Sequence, residues 1–505
     1  MAERKKSSAF GSMSGFVWFR RGAKIARANW PRLALPRKAK KITDNAALPR
    51  AVGKPVSYPE GLRTTVFLPS LHSLMGSRFV MSELRMLSVF LWIAFSFVAL
   101  AASRDAVLAE ERWPQFRGPL SNNIGSASAT LPTHWSEQNN VRWKLPTEQR
   151  GWSSPAVWDQ TAVMTEATPD GSEMFAFAVD IRDGSVRWRE RIFTNDKVAE
   201  IHIMNSYASP SPVTDGEFVW VSFGSYGTAC LELETGKTVW QRRDFPCEHY
   251  RGPGSSPYLD SAGRLFLHFD GFDLQYVVAL SAKDGKTLWK RDRNIDYGTD
   301  NGDQMKAFCT PTLITVDGQQ QLISATSKAV IAYQPDNGQE IWRVLYDEFS
   351  ATGQPFFDGQ TLYVNSGFGK AHLLAIDPSG QGDITDTHVR WIAPKGIGSK
   401  PSQVLHDGLI FNVHDAGVAS CLDAETGEEL WAQRLGGQFS ASPLIAGGYL
   451  YLFDHDGAGY VIAPGREYKL IATNELDDGC MASPVPLSDS LLIRTRTALY
   501  RIQAE

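Results

Sequence analysis

The chain has 505 residues, 43% of them hydrophobic and 21% charged, an ordinary soluble composition on a chain too long for one conventional core. Its formal net charge of −4 hides two regions: residues 1–80 carry 16 Lys and Arg against 3 Asp and Glu, leaving 35 against 52, a net of −17, in the other 425. An acidic body excludes nucleic acid as the partner, because phosphate binding needs a cationic face.

The basic leader, residues 1–80, shows no sustained helical or strand period, and its charge favours disorder. From Met81 the chain reads "MSELRMLSVFLWIAFSFVALAASRDAVLAEE", with an Arg near the front, an apolar run from Leu87 to Ala102, and small residues up to Ala109. That is the grammar of a secretory signal peptide over residues 81–109. A signal belongs at an N-terminus, so translation is expected to start at Met81 or Met86. Peptides from residues 1–80 in mass spectra of the native protein would contradict this. The alternative is an uncleaved anchor, since the run falls just short of the roughly 17–25 residues of a spanning helix. On either reading the body is exported, to the periplasm or outside the cell, and touches a membrane only through this segment.

An extended lead, residues 110–138, precedes a repeat over 139–505. Five segments share one spacing: "AVDIRDGSVRW" from Ala178, "CLELETGKTVW" from Cys230, "ALSAKDGKTLW" from Ala279, "AYQPDNGQEIW" from Ala332 and "CLDAETGEELW" from Cys421. A sixth, "AIDPSGQGDITDTHVRW", carries a six-residue insertion before Trp391. In the five regular copies a small residue stands ten positions before Trp and a glycine four before it. The pattern predicts a hairpin in which the glycine takes positive φ and the Trp strand follows. Upstream of each hairpin a proline opens a run of apolar residues, at Pro155, Pro212, Pro257, Pro311, Pro355, Pro401, Pro443 and Pro484. Proline is tolerated at the first residue of a strand.

These prolines lie 41 to 57 residues apart, a period that predicts an all-β, eight-bladed propeller with four antiparallel strands per blade. Outer-strand signals stand at Trp143, Trp188, Trp240, Trp289, Trp342, Trp391, Trp431 and, degenerate, near Leu470. They are offset from the prolines by one: "NVRWKLP" precedes any blade, and the last blade ends at "LYRIQAE". The N-terminal strand is therefore expected to complete the C-terminal blade and close the ring, removing open sheet edges. Rings at a fixed place in each blade are packing devices, so the seven tryptophans are expected to dock structurally.

The small-residue, glycine and tryptophan spacing with Ser-Pro blade starts resembles the tryptophan-docking repeats of the pyrroloquinoline-quinone-like propellers, and the lead "WPQFRGPLSNN" is similar to the opening of exported bacterial members. The plan is also similar to the BamB-type lipoprotein scaffolds. The resemblance implies one of two activities. Quinoprotein alcohol or sugar dehydrogenases of this group imply a quinone and Ca²⁺ in the funnel, a catalytic Asp, and a disulfide between adjacent cysteines. Here Cys230, Cys247, Cys309, Cys421 and Cys480 are all isolated, and the acidic residues available for Ca²⁺ are Asp300 and Asp303 in "NIDYGTDNGDQMK". The reading preferred is a non-catalytic, monomeric propeller, without metal or cofactor, that binds a protein, peptide or small ligand in the cell envelope. The signal lacks the cysteine of a lipoprotein.

An odd cysteine number in an exported chain permits at most two disulfides. Cys230 and Cys421, in blades on different sides of the ring, are expected free; Cys247 and Cys309, in loops flanking the third blade, are the pair able to meet. The loops between each Trp strand and the next proline are long and polar, and loops on rigid scaffolds commonly carry function. His249, Tyr250, Arg251, Asp303, Lys306 and Lys400 are therefore expected to line a polar funnel mouth.

Overall fold

The computed structural model describes residues 111–504, so the expected leader and signal lie outside the described residues. Eight antiparallel sheets follow one another along the chain. The first is Ala156–Trp158, Thr161–Ala167, Glu173–Asp180 and Val186–Thr194, ordered from the inside outward. The two middle strands are buried along their length, as in Thr161–Ala167, whereas the outer strand Thr287–Asp292 buries only Trp289. Hydrophobic material thus lies between blades, and the outermost strands face solvent.

The repeat spacing has a direct structural cause. The small residue lies directly opposite the tryptophan across the third and fourth strands: Ala178 opposite Trp188, Cys230 opposite Trp240, Ala279 opposite Trp289, and Cys421 opposite Trp431. Only a small side chain leaves room there for an indole. A register irregularity immediately follows each such pair and turns the ring toward the next blade. The indole then meets the glycine of that blade's hairpin. The Trp289 N–H donates to Pro335 O at 2.8 Å, and a Cβ on Gly338, whose φ is +69°, would lie 2.5 Å from the ring. Trp143, Trp188, Trp240 and Trp391 donate in the same way to Ile181, Leu233, Ala282 and Ala424, each three residues before the next blade's glycine.

Trp342 departs from this pattern. The insertion that follows its blade replaces the hairpin glycine, and Gly382–Asp383 joins the fourth sheet as a fifth, parallel strand beside Trp342 and Arg343. The indole N–H goes instead to Gln321 Oε1 of its own blade at 2.8 Å. Trp342 is fully buried. Gln321 Nε2 in turn donates to Pro378 O of the next blade at 3.2 Å, and the ring packs in one cluster with Leu362, Leu374 and Ile384 of that blade, so Trp342 meets its neighbour through Gln321 rather than through a hairpin carbonyl.

The ring closes as expected. Val141–Pro146 pairs antiparallel with Ala498–Gln503, Trp143 opposite Arg501, and forms the outer strand of the blade that contains Val485–Pro486 and Ser490–Arg494. The lead is more than an extended arm. Trp113 bridges to Val157 of the first blade, Ile124 to Ile445 of the seventh, and Trp135 stacks on Tyr451 and Phe453. Between them Arg117 reaches the axis, donating to the carbonyls of Gln354 (3.2 Å) and Gln403, while Asn123 donates to Pro443 O. The lead is a plug that satisfies carbonyls at the starts of the inner strands.

Candidate functional site

Every passage from an outer strand to the next inner strand brings its last residues to the axis on the face away from the tryptophan hairpins. There they enclose a cavity of about 690 Å³, within the range of small-ligand sites. Phe116 of the plug also lines it, as do Trp152, Phe308, Phe349 and Phe368 from the first, fourth and fifth blades. Trp152 and the Phe349–Phe368 pair belong to blades on opposite sides of an eightfold ring. Phe349 and Phe368 meet edge-on, with centroids 6.0 Å apart.

A ring of hydroxyls surrounds the axis in the same cavity: Ser154, Ser211, Ser256, Thr310, Ser402, Ser442 and Ser483. Each oxygen accepts a backbone N–H from the preceding blade. Ser154 donates to Ser211, Ser211 to Ser256 and Ser256 to Thr310, at 2.9, 2.9 and 3.0 Å. Gln354 donates to Ser402, Ser402 to Ser442, Ser442 to Ser483 and Ser483 back to Ser154, at 3.0 to 3.1 Å. The fifth blade holds Gln354 where the others hold a hydroxyl, and Arg117 binds its carbonyl there.

The expected site residues divide into two groups. Arg251, Asp303 and Lys400 line the cavity. Arg251 grips Asp303 through two bonds of 3.0 and 3.1 Å, and Lys400 lies 3.4 Å from Asp415, a residue sequence reasoning did not single out. The other three do not line it. Tyr250 is exposed outside the cavity, under the Arg251 guanidinium and against Phe272. His249 and Lys306 are 6% and 1% exposed, buried behind the wall. Their two loops, before and after the third blade, turn these side chains inward onto its body, and no periodicity in a loop signals that direction. The aromatic wall was also missed. Trp152 lies outside the docking spacing, and the serines of the Ser-Pro starts were read solely as strand openings.

His249 and Lys306 form a buried pair. Ser225 N–H donates to His249 Nε2 (3.1 Å), and the other ring nitrogen, Nδ1, lies 3.2 Å from Lys306 Nζ. Burial and the lysine charge hold His249 well below the usual range, and burial lowers Lys306 to about 8. Because the folded value lies below the ordinary 10.5, the unfolded chain is the more protonated between pH 8 and 10.5, and this site's contribution to stability rises with pH there. Lys306→Met removes the burdened charge. It should stabilise the protein at pH 7 by on the order of 2–3 kcal/mol. That advantage over wild type should narrow from pH 8 to 10.5 in urea unfolding. An advantage that does not change with pH would contradict the assignment.

The expected approach of Cys247 and Cys309 is not realised: all five cysteines are free and buried. Cys309 Sγ instead bonds the carbonyls of Thr310 and Gly353, both at 3.3 Å. Burial pushes both thiols up to about 12, so they are unreactive at neutral pH.

Asp303 and Asp415 are each engaged by a cation, whereas Ca²⁺ takes six to eight oxygens. Asp300 and Asp303 gather no third ligand: among the described residues no group of three or more His, Cys, Asp or Glu is placed to hold a metal.

Fold and cavity together define an eight-bladed, tryptophan-docked propeller with a plugged axis and one open funnel. The family described as "Outer membrane protein assembly factor BamB" matches residues 124–291, 273–385 and 381–466, and the chain belongs to it. Outer membrane protein assembly factor BamB of Yersinia pestis is 27% identical over 157 residues, 30% of this chain and 35% of that protein. The chain thus matches about a third of the length of this curated relative. BamB from Moraxella catarrhalis is 13% identical with a TM-score of 0.51, over 71% of this chain and 98% of its own. Quinohemoprotein alcohol dehydrogenase from Comamonas testosteroni is 12% identical with a TM-score of 0.56, over 78% of this chain and 81% of its own. A europium-containing methanol dehydrogenase is 11% identical with a TM-score of 0.59, over 78% and 92%. At these identities the structural likeness shows the fold alone, and one propeller serves many activities.

Proposed function

We propose that this protein is an exported, non-catalytic binding propeller of the cell envelope, and that its funnel mouth holds a segment of a partner protein. Family membership supports a scaffolding role; the cavity supports the place. The observation that carries the reading is the cavity's construction: aromatic walls around about 690 Å³, with its Arg, Lys and Asp side chains neutralised in pairs. Such walls accept apolar side chains, and paired charges at the edge supply orientation rather than chemistry. No bound quinone or Ca²⁺ enters this reading.

The test is a titration of the purified protein with a panel of extended nonapeptides bearing alternate aromatic residues. Arg251→Ala, Asp303→Ala and Lys400→Ala together should weaken binding at least tenfold. Half-exposed pairs contribute only about 0–1 kcal/mol each, so the thermal midpoint should stay within a few degrees. Unchanged affinity in the triple variant would place the site elsewhere. Dye-linked oxidation of alcohols or sugars on adding quinone and Ca²⁺ would favour the dehydrogenase class.

A further inference from the structure

The hydroxyl ring has a chemistry of its own. Its seven oxygens are all used as acceptors by backbone N–H groups, yet none of the seven O–H groups donates to any acceptor in the described protein. Seven donors therefore surround one volume, the cavity they line. A hydroxyl already accepting a hydrogen bond is a better donor, and donors converging from several blades favour a ligand rich in lone pairs.

A second observation comes from the plug. Arg117 is fully buried, with its Nη groups on the carbonyls of Gln354, Gln403 and Asn122 and its Nε without a partner. No carboxylate forms an ion pair with it among the described residues; burial alone accounts for its fall to about 9, still protonated at neutral pH. An unpaired buried guanidinium is costly unless a negative group comes near. Gln354 and Gln403 also leave amide oxygens unpartnered, and an acceptor of this kind is served by a hydrogen-bond donor, not by an anion.

We propose that the axial hydroxyl ring, backed by Arg117, is a binding site for a carboxylate, and that the ligand of this funnel is an acid with an aromatic or apolar body lying against the aromatic wall that Trp152 and, across the ring, Phe349 supply. This rests on the reading of the funnel as the binding site and adds the chemical class of what enters it. Bonds from hydroxyls to a carboxylate are charge-assisted and about twice as strong as neutral ones. The carboxylate can belong to a small acid or to a chain terminus.

Benzoate and benzyl alcohol share one ring and differ in charge, so they separate the two parts of the site. Calorimetry at fixed ionic strength should show benzoate binding at least tenfold more tightly than benzyl alcohol. Ser211→Ala with Ser256→Ala should remove most of that difference, whereas Ser256→Thr, which keeps the hydroxyl, should retain it. If the alanine pair fails to fold, the comparison of the two ligands on wild type decides alone. A peptide with a free C-terminus binding more tightly than its C-terminal amide would assign the carboxylate to a chain end; benzoate bound with no such difference would assign it to a small acid. Equal affinities for benzoate and benzyl alcohol, or no binding of either, would overturn the carboxylate site. In either case binding of the aromatic nonapeptides, with its loss in the triple variant, would leave the funnel reading standing.

Discussion

Replacing Trp289 by alanine should cost about 3–5 kcal/mol, seen as a lower urea midpoint with little change in slope. The ring is 7% exposed, its N–H is held by Pro335 O, and it fills the space between Ala279 and Gly338, which belong to neighbouring blades. Truncation therefore leaves a cavity at a blade interface that a glycine turn cannot collapse to fill. Peptide binding at the funnel should persist under conditions where the variant is folded. A loss below about 1 kcal/mol would mean that docking on the next blade carries little of the packing.

The second large effect concerns the ion pair of Arg293 and Asp270, both almost fully buried. Arg293 makes two bonds to Asp270, of 2.9 and 2.7 Å, and reaches Ser324, whose hydroxyl lies 2.8 Å from His268 Nε2. His268 in turn donates from Nδ1 to Cys309 O at 2.8 Å, tying the third blade to the strand start of the fourth. Arg293→Met strands a buried carboxylate and should cost about 3–5 kcal/mol. Arg293→Met with Asp270→Leu should cost clearly less, because neither member of the pair is left without its partner. Equal losses in the single and double variants would show that the network, rather than the ion pair, carries the stability.

The fold was legible because the repeat is enforced at each blade. A small residue must face each indole and a hairpin glycine must receive it, so Ala178, Cys230, Ala279 and Cys421 announce strands that neither charge nor hydropathy would reveal. Where the constraint lapses, so does the reading. The insertion before Trp391 removed the turn that Trp342 would have used, and its indole turned to Gln321, a partner no spacing rule names.

The plug was illegible for a different reason. Arg117 finds its partners 237 and 286 residues away in sequence, through a segment with no period. The site was half legible. Arg251, Asp303 and Lys400 lie where loop polarity suggested, but the same polarity pointed to His249 and Lys306, which their two loops fold inward beneath the wall. The hydroxyl ring exists only once eight blades close, since each serine is completed by its neighbour's N–H.

Phe368 and Ile392 offer the most direct test of binding at the funnel, because both are half-exposed, at 59% and 50%, one at the mouth and one on an outer strand. A photo-cross-linking phenylalanine analogue at each position, activated in intact cells, reports which surface a partner covers. The funnel reading expects a discrete cross-linked protein adduct from position 368 that Arg251→Ala, Asp303→Ala and Lys400→Ala together abolish, and none from position 392. An adduct from position 392 with none from position 368 would contradict it and move the binding surface to the outer strands.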